Sequence, residues 1–170
     1  RNLKKIAFDS SLKLKIGKSC FEYNERLESI EFKSDEITID DNGFRYCIWL
    51  RFLDLLNSKR ITLGKNVFER CYNIEKAKLE AQIEFQADSN CFINARRLKS
   101  VHITADKVQI GNNCFLYCSS LTLFNVLYNN EVIFGSKAFG KCRDLETVEI
   151  LDHDNDDSRF IALDDCFIYA

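Results

Sequence analysis

From Val108 to Val126 the chain reads VQIGNNCFLYCSSLTLFNV, and from Val132 to Ile150 it reads VIFGSKAFGKCRDLETVEI. The two stretches superimpose without a gap. Each has an apolar pair two residues apart, a Gly, a small residue followed by Phe, a Cys three after the Phe, a Leu six after it, and a second apolar pair at nine and eleven. Working outward, the same frame fits Phe21, Phe44, Phe68, Phe92 and Phe167, so that consecutive Phe residues are 23, 24, 24, 23, 24 and 28 apart. The Leu position is filled by Leu27, Leu50, Ile74, Leu98, Leu121 and Leu145. The pair before each Phe runs from Leu14 and Ile16 to Phe160 and Ala162, and the pair after it from Ile30 and Phe32 to Val148 and Ile150. Leu3, Ile6 and Phe8 open the series half a unit early.

Anchors two residues apart have the period of a β-strand, and no helical heptad accommodates them. One unit of this length cannot bury its own apolar face, but units stacked at the strand spacing of about 4.8 Å place each anchor on its equivalents above and below. The expected fold is therefore a repeat solenoid with two very short strands per unit and a tight turn at each Phe. The length differences fall between the second pair and the next strand, which puts that turn at the solvent edge. With no Pro in the chain, turn geometry is expected to rest on Gly17, Gly64, Gly111 and Gly135, and on Asn and Asp.

Composition narrows the classes further. The 170 residues are 46% apolar and 29% charged, the mix of a soluble chain with a core. Lys and Arg total 24 against 26 Asp and Glu, too balanced for a phosphate-neutralising surface, so nucleic acid is not an expected partner. No apolar run is long enough for a membrane span, and no leader opens the chain. Arg1 in first place and the absence of Met predict a piece of a longer chain.

The pattern Ile-Gly-x-x-Cys/Ala-Phe-x-x-Cys-x-x-Leu-x-x-Val-x-Ile resembles the BspA-like, treponemal-type leucine-rich repeat. That resemblance implies one domain over residues 1–170, of about seven units of 23–24 residues. It also implies a right-handed superhelix of mainly short β-strands, two per repeat, with short helical or 3-10 turns at the Phe positions. Asp40 and Asp88, in place of the Gly, and Asn24, in place of the small residue after Phe, depart from the pattern.

The eight Cys follow the repeat. Cys47, Cys71, Cys118 and Cys142 fill the small slot after Phe, and Cys20, Cys91, Cys114 and Cys166 the slot before it. Cys substitutes for Ala in tight apolar sites, so buried, reduced thiols are expected, with Cys47 beside Cys71, Cys91 beside Cys114 and Cys118 beside Cys142 in neighbouring rungs. A cysteine hydrolase would need a base beside an exposed thiol. Only His102 and His153 are available, and His102, between inward Val101 and Ile103, points outward. Cys114 and Cys118 have neither a second Cys pair nor a nearby His to complete a zinc set. The run Asp152, His153, Asp154, Asn155, Asp156, Asp157 lacks the Gly and Glu of a calcium loop and reads as a solvated insertion. No catalytic, metal or cofactor site is expected.

Partner-binding residues are sought among outward positions of the longer strand, at eight, ten and twelve after each Phe. Most are polar, such as Ser29, Glu31 and Lys33, or Lys76, Lys78 and Glu80. Two groups break the rule: Phe52 and Leu56 around Asp54, with Trp49 in the adjoining turn, and Leu123 and Leu127 around Asn125, joined by Tyr128. Exposed clusters of this kind are candidate hot spots, although a flanking segment or a second copy would cover them equally well. The expected function is a non-enzymatic protein-interaction module. The family resemblance implies surface or secreted proteins of bacteria and parasitic protists that adhere to host surface or matrix proteins. The alternative is an intracellular scaffold of the cytoskeletal or axonemal kind, which the thiols and the lack of any N-x-Ser/Thr sequon favour.

Overall fold

Strands carrying the alternating anchors lie over one another in parallel. In the computed structural model, which describes residues 2–152 and 158–170, they form a single sheet. They are β1 (Lys5–Ile16), β2 (Ser29–Ile39), β3 (Phe52–Leu63), β4 (Lys76–Ala87), β5 (Ser100–Thr104), β6 (Lys107–Ile110), β7 (Leu123–Tyr128), β8 (Glu131–Phe134), β9 (Thr147–Asp152) and β10 (Arg159–Ala162). The order is β1-β2-β3-β4, after which the sheet forks into β5-β7-β9 and β6-β8-β10. Every pairing is parallel and keeps repeat register, so that Ile30 faces Leu53, Leu53 faces Ala77, Ala77 faces Val101, Val101 faces Phe124 and Phe124 faces Val148.

The core is the set of ladders this register creates. Phe21, Phe44, Phe68, Phe92, Phe115, Phe139 and Phe167 form one column of near-parallel rings with centroids 5.1–5.6 Å apart. Rings so stacked add to their area burial about 0.5–1.5 kcal/mol per pair. Volume is balanced between columns: Ala87 follows Phe85 on one strand, and Phe134 meets Phe160 of the next rung edge-on at 5.2 Å.

Three expectations are corrected. The two strands of a unit are separate only after the fourth strand, beginning with β5 and β6. In the first four rungs they fuse into single strands of 11–12 residues that bend at a register shift. A third inward residue turns that corner. It is Ser34, Ser58, Ala81, Ala105 or Tyr128 in successive rungs, all buried. Where Asp106, Asn129 and Asn130 follow it, residues that favour bends over strands, the ladder is interrupted.

No helical or 3-10 segment occurs at the Phe positions among the described residues. Alternate amides there serve different partners. The N–H groups of Cys20, Glu22 and Asn24 donate within the turn to Gly17, Ser19 and Phe21, whereas those of Ser19, Phe21 and Tyr23 donate to Asp41, Gly43 and Arg45 of the next rung. A continuous helix cannot export every second amide. The residues two before and two after each Phe accordingly take left-handed φ, from Ser19 (53°) and Tyr23 (58°) to Asp165 and Tyr169 (both 57°).

Glycine plays a different part from the one expected, since none has positive φ. Gly64, Gly111 and Gly135 are needed for close approach: a Cβ at Gly111 would lie 2.6 Å from the backbone of Asp88, and one at Gly135 2.6 Å from that of Asn112. Gly17, in the first rung, has nothing within 4 Å.

Two contrasts follow in denaturant melts. Phe92→Ala or Phe115→Ala, each opening a cavity between two neighbours, is expected to cost about 3–5 kcal/mol, and Phe167→Ala, already 40% exposed, clearly less. Gly111→Ala is expected to cost about 1–3 kcal/mol through backbone displacement, while Gly17→Ala leaves stability unchanged. Equal losses within either pair would contradict a linear stack.

Candidate functional site

Strand register decides what the outward face carries. Its first row is Lys5, Ser29, Phe52, Lys76, Ser100, Leu123 and Thr147, and its second is Ala7, Glu31, Asp54, Lys78, His102, Asn125 and Glu149. Phe52 thus lies between a serine and a lysine, at a position that is small or polar in every other rung except that of Leu123. Phe52 is 54% exposed, and Trp49, three residues earlier, is 57% exposed. The turn that presents Trp49 is tied to the preceding rung by its N–H donating to the Glu25 carbonyl at 3.3 Å. Trp49 borders a recess of 320 Å³ with Lys4, Arg26 and Glu28.

Arg51 organises the flank of this cluster. Its guanidinium sits 5.4 Å from the Phe52 ring centroid, and its Nε and Nη2 donate to Glu75 Oε1 at 3.1 and 2.8 Å. The hydrogen bond from Arg51 and its charge hold the Glu75 carboxyl below its ordinary range. Asp54 and Leu56 are half-buried along β3. Together the residues offer an apolar surface rimmed by charge of both signs.

The second sequence cluster is placed differently. Leu123, Asn125 and Leu127 lie on the same outward face but are half-buried, and Asn125 donates to Glu149 Oε2 at 2.6 Å. Tyr128 does not belong to the face: it is the inward corner residue of β7, only 6% exposed. Alternation along β7 requires this, because inward Phe124 and Val126 make the next even step inward too. Half-exposed Leu151, opposite Leu127 in β9, extends the cluster instead. Three strand steps separate Phe52 from Leu123, about 14 Å, with Lys76 and Ser100 between them. The two clusters share a face without merging.

A feature missed by reading the strands alone runs along the Phe turns. Two residues after each Phe come Tyr23, Tyr46, Arg70, Asn94, Tyr117, Lys141 and Tyr169, all at left-handed φ. Tyr23 stacks on Tyr46 at 4.8 Å, and Arg70 Nη1 donates to the Tyr46 hydroxyl at 2.6 Å. The recurring offset from Phe was the available signal, and it was obscured because the column mixes aromatic, basic and amide side chains.

The sulfur chemistry is that of packing. All eight Cys are unpaired, and all but Cys20 are buried; Cys20 is exposed because its column starts in the first rung. The thiols of Cys47, Cys71, Cys118 and Cys142 donate to the carbonyls of Phe21, Phe44, Phe92 and Phe115 in the rung below, at 3.2–3.3 Å. Burial pushes the Cys47 and Cys142 thiols up to about 12 and Cys166 up to about 11, and holds Cys71, Cys91 and Cys118 well above the ordinary value. His102 is exposed on β5, away from them. Among the described residues no three His, Cys, Asp or Glu side chains converge as a metal site. Of the acidic run, His153 to Asp157 lies outside the described residues.

A family model described as BspA type Leucine rich repeat region matches residues 1–122 and 56–156, with six copies of the repeat. No curated protein and no solved structure matches the chain.

The buried thiols make stability fall at alkaline pH. Their folded pKa values are raised, so their contribution is complete below the unfolded value near 9 and is lost as pH rises through that value toward about 12. The melting midpoint under reductant is expected to drop steeply over that window, and less steeply in Cys71→Ala/Cys118→Ala. At neutral pH an alkylating reagent is expected to label Cys20 alone in the native protein and all eight Cys in denaturant.

Proposed function

The chain belongs to the BspA-type leucine-rich repeat family, and on that premise we propose that it is a non-enzymatic protein-interaction module that recognises partners through the outward face of its longer strand segments. The observation that carries this reading is the pair Trp49 and Phe52, each more than half exposed amid polar neighbours. Large aromatic side chains dominate the energetics of protein interfaces, and these two are not needed to fill the core, because Leu50, Leu53 and Leu55 of the same rung are fully buried. Asp54, Leu56, Leu123, Asn125 and Leu127 complete the proposed face. The family's association with surface and secreted proteins supports adhesion to host surface or matrix proteins as the role.

The seven buried, unpaired thiols support a second reading, an intracellular scaffold, since such thiols persist in a reducing compartment. Binding to immobilised extracellular-matrix proteins separates the two. Under the adhesion reading at least one of them captures the chain, and Trp49→Ser/Phe52→Lys weakens that capture by about 2 kcal/mol or more while shifting stability by no more than about 0.5 kcal/mol. No capture by any matrix protein rules against adhesion. Undiminished capture of the variant moves the site off this face.

A further inference from the structure

Between the two apolar clusters of the outward face lie two rungs rich in positive charge. Lys76 and Lys78 of β4 point outward by the alternation that turns Ala77 and Leu79 inward. In the next rung Arg96, Arg97 and Lys99 lie in the turn before β5, and His102 stands on β5 opposite Lys78. All of these side chains are exposed. The rung before them pairs its cations, Arg45 with Glu22 and Glu69, and Arg51 with Glu75. Among the described residues, Lys76, Lys78, Arg96, Arg97 and Lys99 form no salt bridge.

Uncharged groups hold two of these cations where they are. Arg97 Nη1 donates to Asn73 Oδ1 at 2.9 Å, and the Arg96 guanidinium lies 5.6 Å from the Tyr72 ring centroid. The carboxylates of the same stretch do not cancel the charge. Glu75 is already engaged by Arg51 at 2.8 Å, which leaves Asp54 opposite Lys78 and Glu80 further along β4. A chain of net charge −2 thus carries unneutralised positive charge in the middle of its proposed recognition face.

The apolar anchors on either side are spaced to suit an extended chain. Phe52, Lys76, Ser100 and Leu123 occupy one row, so that Phe52 and Leu123 are three strand steps, about 14 Å, apart. In an extended peptide, side chains alternate sides at about 3.3–3.4 Å per residue, so residues i and i+4 face the same way about 13–14 Å apart. A peptide laid across the strands sets i on Phe52 and Trp49, i+4 on Leu123, and i+2 over the midpoint of the row. There Ser100 is small enough to leave room, while Lys76, Lys78, Lys99 and His102 surround the space. A carboxylate is the group such a setting selects, since a cation would be repelled and an apolar side chain would satisfy none of the charges.

We propose that this face takes an extended acidic protein segment of the pattern apolar-x-Asp/Glu-x-apolar, its outer residues anchored on Phe52 and Leu123 and its central carboxylate held over Lys76 and Lys78. The inference rests on the recognition face proposed above and adds the chemistry of what that face recognises. Charge alone would draw any polyanion. The aliphatic anchor at Leu123, matched in spacing to Phe52, is what selects a peptide.

Fluorescence anisotropy with labelled synthetic peptides tests this. The probe is Ser-Gly-Phe-Thr-Glu-Thr-Leu-Gly-Ser, set against one version with Lys in place of Glu and another with the Leu moved one residue along, which turns it to the opposite side. The first is expected to bind about tenfold or more tighter than either, and added salt to weaken it. Lys76→Glu/Lys78→Glu is expected to reverse the preference in favour of the Lys peptide, which a misfolded protein would not do, and Phe52→Ser to weaken the Glu peptide. No binding of the Glu peptide, equal binding of all three, or no reversal would overturn the proposal. So would tighter binding of heparin or a single-stranded oligonucleotide, undiminished by Phe52→Ser, which assigns the patch to polyanions. A matrix protein captured through Trp49 and Phe52 but insensitive to Lys76→Glu/Lys78→Glu would overturn this inference and leave the recognition face standing. Selective binding of the Glu peptide without capture by any matrix protein would uphold it and rule against adhesion alone.

Discussion

Everything in this molecule depends on the fixed rise between hydrogen-bonded parallel strands. At about 4.8 Å per rung there is room for one side chain over another of its own kind and for nothing between them. Phe rings stacked at 5.1–5.6 Å are the direct result, since flat rings fit that interval with a small offset. The same interval explains Gly64, Gly111 and Gly135, where the backbones of neighbouring turns approach so closely that one added carbon would touch the chain below. It also explains the cysteines: a thiol is small enough for the slot after Phe and can donate to the Phe carbonyl one rung down.

Because every rung repeats one environment, the sequence disclosed the columns before any coordinate was known. Phe, Leu and the two apolar pairs recur at fixed offsets, and the core is made of them. What escaped the pattern lacked a hydrophobic signature. The corner column of Ser34, Ser58, Ala81 and Ala105 is fully inward, yet small and partly polar, so its burial was hidden and with it the fusion of paired strands into one. Tyr128 was misplaced for the same reason, being the one large member of a column whose existence had not been recognised. The helical turns expected at Phe failed on backbone grounds. Alternate amides there hold neighbouring rungs together, and left-handed residues divide what would otherwise be a continuous turn.

The candidate face was legible in part. Trp49 and Phe52 stood out because they break a polar column, and the alternation that places anchors inward places these outward. Their separation from Leu123 by two polar strands, and the addition of Leu151 to that second group, needed the register.

The amides that bind one rung to the next also set how the protein would respond to a mechanical load applied between its termini. Strands stacked perpendicular to the pull are loaded a few bonds at a time, so the outermost rung peels before its neighbour is stressed. Each peeled rung of 23–24 residues would release about 80 Å of contour length and expose a fresh rung with the same ladder behind it. Under tension such a chain lengthens in near-equal steps at similar force, yielding gradually where a sandwich or bundle of equal size would rupture once.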